Sequence, residues 1–196
     1  MIRLLLICCA LGGAASAQTL PERYKVYDVA SNDVLNIRSG PVSTANIIGA
    51  FNPTDMNVEV LGIEGNWAYV SAGERMGWVS MRYLRENPVV PGDVPHTISC
   101  LGTEPFWDMT TQDDITSYGS LGFERRPLTV LRAAAANNGF LVNATDMSSR
   151  IYTLSINALA CGDGMSDRKF GMSATLFTES PDGNAVLTGC CTFQVN

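Results

Sequence analysis

From Tyr24 onward, the apolar residues of this chain fall in short alternating runs, each closed by turn-forming residues. Leu35-Asn36-Ile37-Arg38 stops at Ser39-Gly40-Pro41, and Glu64-Gly65-Asn66 leads into Trp67-Ala68-Tyr69-Val70. An apolar residue at every second position suits one face of a strand, whereas a helix needs spacings of three and four. In such a strand Leu35 and Ile37 face one side, and Asn36 and Arg38 the other. Runs this short, with abundant glycine and few helical patterns, predict an all-β chain. The second half continues in the same way. Leu128 to Ala133 alternates, Asn137-Asn138-Gly139 marks a hairpin turn, and Ile151 to Leu159 puts Leu154 and Ile156 on one face. Phe170, Met172, Ala174 and Leu176 share a face of the next run. Up-and-down order with short turns predicts an antiparallel barrel or sandwich.

Residues 1–17 are set apart from these runs. Arg3 precedes an apolar core from Leu4 to Leu11, and Ala15-Ser16-Ala17 is a small-residue cleavage site. This is the pattern of a secretory signal peptide, with cleavage before Gln18. The apolar run is too short to span a bilayer. Cys8 and Cys9 lie inside it, so a lipid-anchor reading leaves almost no apolar core before the cleavage point. The net charge of −6 provides no basic footprint for nucleic acid or anionic lipid. With 46% hydrophobic and 16% charged residues, the composition is that of a folded protein.

Four cysteines remain beyond the leader, Cys100, Cys161, Cys190 and Cys191, all in the second half. An even number in an exported chain predicts two disulfides and an oxidising compartment. Metal binding competes poorly, since the chain has no C-x-x-C pair and its one histidine, His96, lies in a Pro-rich segment. No metal or other cofactor is expected. Leu187, Cys191, Phe193 and Val195 share the parity of a core face, which turns Cys190 outward. A Cys100 carried on an external linker then suits Cys190, and Cys161, at the end of a core-patterned strand, suits Cys191. The expected bridges are therefore Cys100–Cys190 and Cys161–Cys191, and a bridge between the adjacent pair is excluded by its Cα separation.

The stretch Leu35-Asn36-Ile37-Arg38-Ser39-Gly40-Pro41, the Gly65-x-Trp67 turn, Gly77-Trp78-Val79 and the closing Arg82-Tyr83-Leu84 together resemble a bacterial SH3 domain. The resemblance covers roughly Tyr24 to Arg85 and implies a small β-barrel in residues 18–86 that acts as a cell-envelope binding module. Trp67 and Trp78 read first as fillers of that barrel and second as groove rings. Tyr69 and Tyr83, with polar tips, are the better surface candidates. Arg38 is a candidate partner for a peptide carboxylate. Residues 87–98, with Pro88, Pro91 and Pro95, form an expected extended spacer that tethers the two units with some freedom.

In residues 99–196, Cys100-Leu101-Gly102-Thr103-Glu104-Pro105-Phe106-Trp107, then Cys161-Gly162-Asp163-Gly164-Met165-Ser166, then Gly189-Cys190, resemble a family of bacterial envelope proteins and lipoproteins that carries no established activity. This chain differs in its second adjacent cysteine, its SH3-like module and its lack of a lipid-anchor cysteine. Pro105 holds Glu104 extended, and Phe106 and Trp107 point to opposite faces, one into the core and one outward. Glu104 and Trp107, with the turn from Asp163 to Asp167, are a candidate ligand groove.

Catalytic readings find little support in these residues. Cys100-Leu101-Gly102 faintly resembles the nucleophile stretch of cell-wall cysteine endopeptidases, but a thiol needs a histidine base, and only His96 is present. Glu104 with Asp108, or Asp113 with Asp114, could form the carboxylate pair of a glycosidase. The spacing of Asp163 and Asp167 does not match an EF-hand loop. The expectation is a secreted, periplasmic, non-enzymatic protein that docks on peptidoglycan or an envelope protein. The alternatives are a cell-wall hydrolase or its accessory, acting through second-half acidic residues, and an envelope inhibitor or stress factor. The sequence does not address oligomeric state.

Overall fold

The computed structural model describes residues 21–90, 93–112, 115–181 and 183–194. The expected leader and the Asp113–Asp114 pair lie outside these residues. The described chain is all-β, as the alternating runs require. Its first part contains β1 (Glu22–Val26), β2 (Leu35–Arg38), β3 (Ile47–Phe51), β4 (Val58–Val60), β5 (Gly62–Glu64), β6 (Trp67–Ala72), β7 (Arg75–Ser80), a 3-10 turn (Met81–Tyr83) and β8 (Leu84–Glu86). The second part contains β9 (Ile98–Thr103), β10 (Phe106–Gln112), β11 (Ile115–Ser120), β12 (Phe123–Ala136), β13 (Gly139–Thr145), β14 (Ile151–Asn157), β15 (Met172–Ser180) and β16 (Gly183–Thr192).

The first unit folds a three-stranded sheet, β4-β1-β8, and a five-stranded sheet, β3-β2-β7-β6-β5, over one core. Alternation supplies that core: Leu35 and Ile37 from β2, Ala68 and Val70 from β6, and Val79 from β7 point inward with Tyr24, Val58 and Val60. The tight turns fall at glycines. Gly65 and Gly73 have φ of 55° and 66°, where side chains are disfavoured.

The second unit is a closed antiparallel barrel in the order β10-β11-β12-β13-β14-β15-β16-β9. Closure leaves no open sheet edge, and eight strands enclose a space that side chains fill. Tyr152, Leu154, Ile156, Met109, Met172 and Leu176 occupy it. β9 is the closing strand. It pairs with β10 along its whole length but with β16 at only three positions, Ser99↔Thr192, Cys100↔Cys191 and Leu101↔Cys190.

That placement corrects the disulfide pairing. The bridges are Cys100–Cys191 and Cys161–Cys190. Cys191 faces the core and Cys190 the opposite side, as their parity requires. The error lay in taking Cys100 as part of an external linker. It sits in a barrel strand and shares the inward parity of Ile98, so it lies directly across the seam from Cys191, Cα to Cα 4.0 Å. Cys190 is then left to Cys161, in the connection that follows β14.

The expectation of freely tethered units is corrected as well. Glu59, on β4, is completely buried against the barrel. Its carboxylate accepts hydrogen bonds from the Thr192 hydroxyl at 3.0 Å and from the backbone N–H groups of Gly171 and Phe193 at 3.4 Å each. Ser71 donates to the Lys169 carbonyl at 3.3 Å. A Cβ at Gly171 would collide with the side chains of Pro21 and Leu61, so the barrel backbone packs directly against them there. The segment after β8 is also held: the Arg23 guanidinium donates to the carbonyls of Asn87 at 2.6 Å and Pro88 at 3.2 Å.

Candidate functional site

Strand alternation also assembles the surface of the first unit. Ala68 and Val70 turn inward, so Trp67 and Tyr69 turn outward; Gly77 and Val79 turn inward, so Trp78 turns outward. The ladders then align Arg38 with Trp78, Trp78 with Tyr69, and Tyr69 with Gly62, in one row across β2, β7, β6 and β5. The Tyr69 and Trp78 rings lie 4.8 Å apart, tilted by 45°. Arg38 is fixed at the end of the row by donating to the Ala45 carbonyl at 2.8 Å. All three side chains are half-buried, and Tyr69 also borders a hollow of about 460 Å³ whose other wall is formed by Cys161, Lys169 and Phe170 of the barrel.

This geometry changes the roles expected of the aromatics. Trp67 and Trp78 are not core fillers; both are half-buried and lie on the outer face. The signal was present in the sequence, because Trp67 and Tyr69 are two residues apart and must share a face. Tyr83 does not join the row. It sits on the 3-10 turn against the core, with the Arg82 guanidinium 5.4 Å from its ring centre.

The distinctive residues of the second unit converge on packing. Trp107 is 3% exposed, and its indole N–H donates to the Thr188 carbonyl at 3.1 Å. Its ring fills a slot between two glycines: a Cβ at Gly102 would collide with its indole nitrogen, and one at Gly189 would meet its ring at 2.9 Å. The neighbours of those glycines, Cys100, Cys190 and Cys191, carry the two bridges. The cysteine, glycine and tryptophan spacing thus serves the barrel seam. Trp107→Phe is expected to lose the indole hydrogen bond and cost about 1–2 kcal/mol, read as a lower urea midpoint.

A cleft of about 590 Å³ lies beside this seam, lined by Glu104, Asp163, Met165, Thr175, Thr188 and the Cys161–Cys190 bridge. The structure therefore brings Glu104 and the Asp163 turn together, but it puts Trp107 inside the barrel. Phe106, 46% exposed, is the outward ring and borders a different surface hollow. Asp163 is engaged by its own turn, accepting from the Met165 and Ser166 N–H groups and the Ser166 hydroxyl, each at 2.9 Å. Burial works against its charge, but these donors and Arg168 outweigh it and hold the carboxyl below its usual range. Asp108 is paired with Arg125 at 2.7 Å. Among the described residues, no three His, Cys, Asp or Glu side chains come together as a metal-binding group.

Two buried carboxylates escape a reading by sequence. Asp146 accepts from the Tyr152 hydroxyl at 3.1 Å and from the N–H groups of Ser148 and Arg150, with Arg126 at 3.5 Å. Desolvation is overcome by these partners, and its pKa is lowered. Glu59 goes the other way. Desolvation dominates over Thr192, Phe193, Gly171 and Arg168, and its pKa is pushed up to about 7. Asp146 is followed by Ser148-Ser149, which hints at a capped turn. Val58-Glu59-Val60 reads as a solvent-facing position, because nothing local shows that the barrel covers it.

Residues 33–85 match the bacterial SH3 domain family, a span that includes every residue of the Arg38–Trp78–Tyr69 row and ends before the barrel. No curated protein and no solved structure matches the chain.

Proposed function

We propose that this protein is an extracytoplasmic cell-envelope binding protein that docks on peptidoglycan, or on an envelope protein, through the Arg38–Trp78–Tyr69 row. The observation that carries this reading is the row itself: two half-buried amphipathic rings on the outer face beside a fixed cation, inside the span that matches the bacterial SH3 domain family. Aromatic faces stack on sugar rings and peptide stems, and a guanidinium forks onto a carboxylate. Two disulfides fit an oxidising compartment. No helix among the described residues is long and apolar enough to cross a membrane. The second unit, whose cysteine motifs resemble those of envelope proteins, works by binding and support rather than by catalysis. The engagement of Asp108 by Arg125 and of Asp163 by its own turn supports that view.

The test is retention on purified peptidoglycan, with released muropeptides measured in the same tube. Retention without release is the expected result, and release would refute the non-enzymatic reading. Tyr69→Ala with Trp78→Ala should weaken retention at least about tenfold, the loss of one strong aromatic anchor. Undiminished retention by that variant would remove the row from the contact surface.

A further inference from the structure

A second cleft, about 810 Å³, lies between the two units and has no part in the aromatic row. Its size is that of a small-ligand site. One wall is β3, from Ile48 to Phe51. β3 is an outer strand of its sheet, paired on one side only, with β2. An open strand edge offers unpaired backbone donors and acceptors to any extended peptide. Side-chain amides from both units, Asn57, Gln112 and Gln194, complete a polar lining.

Arg168 lines the same cleft from the barrel side. It is 9% exposed, and its Nε is buried with no hydrogen-bond partner. Its guanidinium lies 4.5 Å from the Phe170 ring centre. Among the described residues it forms no ion pair. The two carboxylates that act on it through space are committed elsewhere, Glu59 to Thr192 and the barrel backbone, Asp163 to its own turn. Neither carboxylate bonds to it directly; a buried cation held only through space is costly to maintain, and the planar guanidinium is shaped for a carboxylate.

We propose that this cleft binds a short peptide with a free carboxyl terminus, its backbone paired along β3 and its carboxylate held by Arg168. Neither feature needs the other structurally, yet β3 and Arg168 both line one cavity. Asp55, also on the lining, disfavours ligands of higher negative charge, which leaves a singly charged carboxylate as the best match. The site is independent of the Arg38–Trp78–Tyr69 row.

The experiment titrates the full mature chain with acetyl-tetra-alanine as the free acid and as its C-terminal amide, by calorimetry. The acid should bind at least tenfold more tightly than the amide. Arg168→Gln should abolish that preference, with its thermal transition recorded to show that it folds. Gln112→Glu, at an exposed position on the cleft wall, places a repelling charge without touching the core and should weaken the acid more than the amide. Tyr69→Ala with Trp78→Ala should keep the preference, which separates this site from peptidoglycan docking. Equal binding of acid and amide, no binding of either, or a preference that survives Arg168→Gln would overturn the proposal.

Discussion

Replacing Cys100 and Cys191 together by alanine should cost about 2–5 kcal/mol of stability. The bridge spans a sequence separation of 91 residues, and both cysteines are fully buried. It also crosses the weakest join in the barrel. β15 and β16 pair at nine positions, whereas β16 and β9 pair at three. Without the bridge, β9 is held to β16 by that short ladder alone, and opening there restores two strand edges. Replacing Cys161 and Cys190 should cost less by about 1 kcal/mol, because that loop, with a separation of 29, removes less freedom from the unfolded chain. Urea midpoints of the two double variants measure the difference. A larger loss for the Cys161–Cys190 variant would contradict the seam argument.

Stability should fall as pH rises from about 4.5 to about 7, and Glu59 is the reason. Its pKa is 4.5 as a free side chain and about 7 in the folded protein. Below the lower value both states hold the proton, and the carboxyl carries no penalty. Between the two values the unfolded chain releases the proton while the folded chain keeps it, so unfolding gains with pH. Above the folded value the loss is complete, at most about 3 kcal/mol. Arg168, acting on Glu59 through space, works to reduce it, and Arg23, opposite Glu59 across the β1–β4 ladder, is directed to the Asn87 and Pro88 carbonyls. Asp146 and Asp163 have depressed pKa values, so their contributions are lost only as pH falls below the ordinary aspartate range, outside this window. Glu59→Gln keeps an acceptor for Thr192 and has no proton to lose, so its stability should be flat from pH 5 to 8. Urea unfolding at four pH values for both proteins is the measurement. A slope that persists in Glu59→Gln would assign it to another group.

The two predictions differ in how far the sequence led to them. The parity of Leu187, Cys191 and Phe193 correctly separated Cys191, inside, from Cys190, outside. The same rule applied to Ile98 and Cys100 would have placed Cys100 inside. Treating Ser99-Cys100 as the end of a proline-rich linker hid that, because three prolines upstream suppress the strand signal until the barrel supplies partners on both sides. Trp67 and Tyr69 teach the same lesson. Two rings in W-A-Y-V must share a face, and the small Ala68 and Val70 are what a tight core accepts, yet tryptophan suggests a core by size alone.

Strand alternation and turn residues are local, and they were enough to determine an all-β chain, the buried faces of β14 and β15, the cysteine faces and the SH3-like stretch that carries Arg38, Tyr69 and Trp78. The alternation expected from Leu128 to Ala133 fails, because β12 bulges between Val130 and Arg132 and only Leu128 turns inward. Tertiary structure decided what depends on distant surfaces meeting. Barrel closure set β9 against β16 and so chose the disulfide partners. Docking of the barrel on β4 buried Glu59, which in isolation would be a solvated strand residue. The same docking placed Arg168 beside the open edge of β3. Burial is a property of two surfaces together, and the desolvation that shifts Glu59 and leaves the Arg168 Nε without a hydrogen-bond partner arises only when they touch.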